Sequence, residues 1–190
     1  MSLLRASFIA ALLAGSGATL AATEPSMQTL FDFEPGGDGP RWVAVNDGVM
    51  GGRSRGGPEI AAGKLRFAGV LSLENNGGFS SVRTVGRDFD LSGVEAVVLR
   101  VRGDGRSYQL RLATDARFRG ITVSYGAAFA TTAGEWTDVR VPLSALRPSA
   151  HGFALLGPPL APAQVREFGL LIGDKREGAF ELEVDWIALE

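Results

Sequence analysis

Long stretches of this chain alternate apolar and polar residues one for one, and that period-two pattern constrains the fold more than any other feature. Val97, Leu99 and Val101 oppose Arg100 and Arg102, and Tyr108, Leu110 and Leu112 oppose Gln109 and Arg111. Ile121, Val123 and Tyr125 oppose Thr122 and Ser124, and Phe31 and Phe33 oppose Asp32 and Glu34. Val139, Val141 and Leu143 continue the theme, and the last run sets Phe180, Leu182, Val184 and Trp186 against Glu181, Glu183 and Asp185. Successive strand side chains point to opposite faces, so each run offers one face to a core and one to water or a ligand. Turn signals recur about every 8–12 residues between the runs, the spacing of an antiparallel β-sandwich. The 26 glycines cluster at those breaks. The expected fold class is all-β, two antiparallel sheets face to face. Very little helix is expected, with only residues 144–146 and 162–166 reading as short helical turns, the second opened by a proline at a first-turn position.

Residues 1–21 read as a signal peptide. Arg5 is the only charge before Glu24, residues 8–13 form an apolar run, and Thr19-Leu20-Ala21 offers small residues where a signal peptidase reads. The run is too short and too rich in Ala and Gly for a stable membrane span. Cleavage after Ala21 is expected, with export to the periplasm and a single domain over residues 22–190. A domain of that size buries about 70% of the surface its unfolded chain exposes, so it folds without staples, and the chain has no cysteine. The net charge of −2, with an acidic pI and no basic run, argues against nucleic acid as a partner.

The most informative segment is WVAVNDGVMGGRS (42–54). It begins as an alternating strand, breaks at Asn46-Asp47-Gly48, and breaks again at Gly51-Gly52. Asn, Asp and Gly tolerate positive φ or bond their own backbone, so the chain is expected to bend sharply there twice. Between the bends stand Val49 and Met50, with Arg53 just beyond. A plain surface loop would spend these positions on small polar groups.

Read with ENNGGFSSVR (74–83), VRGDGRSYQLRL (101–112) and GLLIGDKREGAFELEVDWI (169–187), residues 42–54 resemble the complex I intermediate-associated protein 30 family. The four motifs are in order, and the resemblance covers nearly all of the chain after residue 21. The resemblance implies a galactose-binding-like β-sandwich, or jelly roll. For the mitochondrial members it implies a role as an assembly factor for respiratory NADH:ubiquinone oxidoreductase.

Catalysis and metals find little support. His151 is the only histidine, no Gly-x-Ser-x-Gly elbow presents a nucleophile, and the resemblance makes His151 a local variation. No zinc site is expected without several His or Cys ligands. Calcium needs only oxygen ligands, and Asp32, Glu34 and Asp185 could approach one another if the ends of the chain lie close. No dinucleotide site is expected, because Gly103-Asp104-Gly105 leads into a strand rather than a helix and reads as a hairpin turn. No cofactor is expected, and the chain reads as a non-enzyme.

Binding is better supplied. Asn75-Asn76-Gly77-Gly78 reads as a hairpin loop between strands at 70–73 and 79–83, whose adjacent amides can bond a partner's backbone or a sugar hydroxyl. Arg83 shares a face with Phe79 and is expected to pair with Asp47 or Glu74, since an unpaired, partly buried guanidinium is costly. Arg100, Arg102 and Arg111 either line an anion or glycan platform with Gln109 and Thr122, or pair with Glu181, Glu183 and Asp185. Trp136 falls on the face opposite Val139 and Val141, where it could stack on a sugar or anchor an interface. The candidate binding residues are thus Asn46, Asp47, Gly48, Met50, Gly51, Arg53, Asn75, Asn76, Arg83 and Trp136. A glycan site usually displays several exposed rings, and here, of only 16 aromatics, Phe31, Phe33, Tyr108, Tyr125, Phe180 and Trp186 all phase inward. A protein partner is therefore favoured, with a carbohydrate-binding module as the alternative.

Overall fold

The computed structural model of the chain describes residues 27–37 and 39–190, so the expected signal peptide lies outside the described residues. The first sheet runs β3 (Arg55–Ala61), β4 (Lys64–Leu71), β13 (Gly178–Leu189), β6 (Ala96–Gly103), β9 (Trp136–Pro142), with β1 (Gln28–Phe31) joined to the far end of β13. The second runs β11 (Phe153–Ala154), β10 (Arg147–Ala150), β8 (Ile121–Ala130), β7 (Ser107–Phe118), β12 (Val165–Ile172), β5 (Ser80–Val85), β2 (Arg41–Asn46). Neighbouring strands in both sheets are antiparallel. The two-sheet sandwich is the one the alternation predicts.

The core is the inward half of each alternating run. Leu65, Phe67, Leu99, Val101, Leu182 and Val184 of the first sheet are fully buried, as are Tyr108, Leu110, Val123, Tyr125, Phe168 and Leu170 of the second. Each such side chain contributes about 1.5–3 kcal/mol on leaving water. At one end Phe31, Phe89 and Phe168 meet edge to face at 4.9–5.7 Å, and Trp42 closes on Phe31. At the other, Phe67 packs on Phe180 at 5.0 Å and on Tyr108 at 6.4 Å. Among the described residues helix is confined to single 3₁₀ turns, including Leu143–Ala145 and Pro162–Gln164 near the two expected places. Among the described residues no helix is long and apolar enough to cross a membrane.

Three local expectations change. Trp186 does not continue the inward phase of Phe180, Leu182 and Val184. A β-bulge between Val184 and Trp186 shifts the register against β6, so Ile187 and Leu189 turn inward instead. The segments around Asn75–Gly78 and Gly103–Gly105 are not hairpins. Each carries the chain from the first sheet to the second, from β4 to β5 and from β6 to β7. Turn-forming residues fix the local bend but leave the next strand free to pair elsewhere.

Candidate binding site

The crossing from β4 to β5 and the loop leaving β2 are locked together around one carboxylate. β2 ends at Asn46, the chain makes a 3₁₀ turn over Asp47–Met50, and Gly51 ends it at φ +89°. The Gly51 N–H donates to Gly48 O and the Gly52 N–H to Asp47 O. The Asp47 side chain points inward and is fully buried. Its Oδ1 accepts from the Ser54 N–H at 2.9 Å, and its Oδ2 from the Ser54 hydroxyl at 2.5 Å, the Gly78 N–H at 2.7 Å and the Phe79 N–H at 3.3 Å. Burial by itself would push this carboxyl up. The bonds from Ser54, Gly78 and Phe79 together outweigh it and hold the carboxyl below its ordinary value.

Side chains around this centre tie the two loops further. Asn75 Nδ2 donates to Gly51 O at 3.1 Å, Asn46 Nδ2 to Gly56 O at 3.0 Å, and the Ser80 hydroxyl to Asn46 Oδ1 at 2.6 Å. Arg53 and Glu74 form an exposed ion pair at 2.9 Å, which adds little to stability. A Cβ on Gly52 would lie 2.3 Å from Asp47 Cγ, and one on Gly77 would lie 2.5 Å from Asp47 Oδ2. Gly48 differs: a Cβ there would meet nothing within 4 Å, and its φ is not positive. Gly52→Ala is therefore expected to cost about 1–3 kcal/mol, as overpacking does, while Gly48→Ala stays within about 0.5 kcal/mol. Thermal melts of the two variants check this, and equal melting would show that the carboxylate is not fixed as described.

On this rigid base the rim displays apolar groups to water. Val49 is 76% exposed, Met50 59% and Leu73 40%. Asn76 is also exposed, at φ +58°. The structure thus brings together Asn46, Asp47, Gly48, Met50, Gly51, Arg53, Asn75 and Asn76. Gly78, in the expected loop, donates to Asp47, while Ser54, buried beneath the rim, and Leu73, exposed on it, were missed. A serine seven residues after a buried aspartate was the available signal for Ser54, and Leu73 carried none.

Arg83 and Trp136 stand elsewhere. Arg83 is half-buried as expected but pairs with Glu167 at 3.3 Å, not with Asp47 or Glu74. It lies on the outer face of β5, whereas the Asp47 carboxylate turns inward and Glu74 is taken by Arg53. Trp136 belongs to the first sheet, half-buried, with the guanidinium of Arg102 at 5.0 Å and that of Arg100 at 5.9 Å from its ring. The Arg100, Arg102 and Arg111 platform is split as well. Arg100 pairs with Asp138 at 2.9 Å and Asp185 at 3.8 Å, and Arg102 pairs with Glu183, while Arg111 lies on the other sheet. Thr122 bonds Arg117 instead. Asp185 is therefore occupied by Arg100, and Asp32 accepts from the Glu34 N–H at 3.3 Å. Among the described residues no three His, Asp or Glu side chains gather as a metal site would need.

The family model described as complex I intermediate-associated protein 30 matches residues 31–184. The mitochondrial proteins of that name from Mus musculus and Drosophila melanogaster are 25% and 27% identical to this chain over 85% of its length. The chain spans only 56% and 62% of those relatives, a little more than half. In three dimensions it is similar to a family 11 carbohydrate-binding module of a cellulosomal cellulase from Clostridium thermocellum, with a TM-score of 0.67 and 14% identity over 88% of this chain and 95% of that one. It is also similar to part of an agarase, with a TM-score of 0.59 and 14% identity over 87% of this chain and 25% of that one. At such identities the likeness shows the fold alone, a galactose-binding-like β-sandwich.

Proposed function

This chain belongs to the complex I intermediate-associated protein 30 family, and from that premise we propose that it is a non-catalytic module that binds a protein partner and assists its assembly. The observation that carries the reading is the rim, where Val49, Met50 and Leu73 are exposed on a backbone that Asp47 holds rigid. Exposing apolar groups costs solubility, and a rigid presentation reduces the entropy lost on binding. Methionine is adaptable at such contacts. The names of the mouse and fly relatives point to an intermediate of complex I as the kind of partner. With residues 1–21 removed on export, the partner here presents its surface in the periplasm.

Met50→Glu tests this. The variant is expected to melt within about 0.5 kcal/mol of the parent, as exposed substitutions do, and to lose the partner in crosslinking pull-downs from intact cells. An unchanged set of captured proteins would remove the rim from the binding site. A strong drop in melting temperature would show that Met50 supports the fold instead. Saturable binding on a glycan array would favour the carbohydrate-binding alternative.

A further inference from the structure

The two outer faces of the sandwich are built differently. On the first sheet, long side chains of opposite charge close over the surface. Arg66 pairs with Glu181 at 2.8 Å and Glu59 at 3.3 Å, Arg102 with Glu183, and Arg100 with Asp138 and Asp185. On the second sheet Arg166 pairs with Asp115 and Asp88 where β12 begins, and further along β12 Arg83 pairs with Glu167. Strand register sets one row straight across this sheet, Val43, Arg83, Gly169, Arg111, Gly126 and Arg147, each the partner of the next. Alternate positions in the middle of this row are glycine. A Cβ on Gly169 would lie 3.5 Å from Arg83 Cβ and 3.7 Å from Arg111 Cβ, and one on Gly126 would lie 3.0 Å from Arg111 Cδ. Gly169 is itself buried, and it separates two arginines whose strands are about 10 Å apart.

Charge along the row is not balanced. Glu167 pairs with Arg83, while Arg111 donates to neutral groups, Gln109 Oε1 at 3.4 Å and the Ser149 hydroxyl at 3.3 Å. Burial, and then the like charge of Arg83, push the Arg111 guanidinium below its ordinary value, with Glu167 offsetting part of this. A guanidinium in that position gains from a second carboxylate, which it can bind through two parallel N–H donors.

We propose that this row is a carboxylate-binding slot, in which Arg111 and Arg83 receive an aspartate or glutamate side chain from an acidic segment of the partner protein. The row beside it, Ser81, Leu171, Gln109 and Ala128, offers hydroxyl, amide and aliphatic groups but no ring for a sugar to stack on. A polypeptide side chain therefore suits the slot better than an acidic glycan. Arg83 lies five residues along the chain from Gly78, which is fastened to Asp47 beside the rim, about 17 Å if extended, so an extended partner segment can reach both. The inference rests on the reading of this chain as a protein-binding module.

The test is fluorescence anisotropy of a labelled octaglutamate peptide titrated with the protein at low ionic strength. Saturable binding is expected, weakened at least tenfold by Arg111→Gln and absent for octaglutamine. Arg102→Gln on the opposite face should leave it within twofold. Because Arg111→Gln could disturb the sheet, the Nε–Hε NMR signal of Arg111 in the unaltered protein is followed as well, and is expected to shift with the same concentration dependence. No saturable binding, or binding without that shift and indifferent to Arg111→Gln, would overturn the slot. Tighter binding of oligogalacturonate than of the peptide would overturn the choice of a protein ligand. If Met50→Glu abolishes partner capture while octaglutamate never binds, the slot fails and the module reading stands. If octaglutamate binds at Arg111 but Met50→Glu leaves capture unchanged, the rim fails instead.

Discussion

Arg106→Ala is expected to destabilise the sandwich by about 3–5 kcal/mol, the cost of leaving a buried charge without its partner. Arg106 is 6% exposed, at the crossing from β6 to β7, and its side chain reaches the loop before β13. Its Nε donates to Asp174 Oδ2 at 2.9 Å and its Nη2 to Asp174 Oδ1 at 2.6 Å. Nη1 donates to Ala179 O at 2.8 Å, and Nη2 also bonds Arg176 O. The alanine variant strands the Asp174 carboxylate and these carbonyls together. Arg106→Lys should recover only part of the loss, since one ammonium cannot reproduce the planar fork. Urea unfolding of the two variants with Asp174→Asn decides the matter. If Arg106→Ala unfolds at the parent's midpoint, water already serves the pair and the brace is not real.

Asp47→Ala is expected to cost about 3 kcal/mol. It leaves the Gly78, Phe79 and Ser54 N–H groups and the Ser54 hydroxyl without their acceptor, and each unsatisfied buried group costs about 1–3 kcal/mol before the loops relax. Acid should act in the same direction. Asp47 is held low by its hydrogen bonds, and Asp174 by the Arg106 guanidinium first and by the Arg176 N–H. A carboxyl lowered on folding contributes stability that is full above its unfolded value of about 3.9 and is lost as pH falls through the folded one. The parent should therefore lose stability steeply below about pH 4, and Asp47→Ala should show a shallower acid limb. Thermal melts across that range check both, and parallel limbs would show that the fold does not hold the Asp47 carboxyl below its unfolded value.

The sequence already carried the strands, because burial on one face of a strand requires an apolar residue at every second position and nothing else in a chain produces that pattern. It carried the bends at Asn46–Gly52, because only certain residues make them. It could not carry which sheet a strand joins. The segments at Gly77-Gly78 and Gly103–Gly105 have the turn residues of hairpins, yet both cross between sheets, since local dihedrals do not choose the next strand's partner. Trp186 was out of reach for a similar reason: a bulge adds one residue without changing the composition of the run. The site divides along the same line. Residues 46–53 were legible as a constrained loop with apolar groups at its tip. Its fastening to residues 74–79 through Asp47, the pairing of Arg83 with Glu167, and the Arg106–Asp174 brace join groups far apart in the chain. Such pairs leave no spacing to read, because their energy depends on distances that exist only once both sheets have packed.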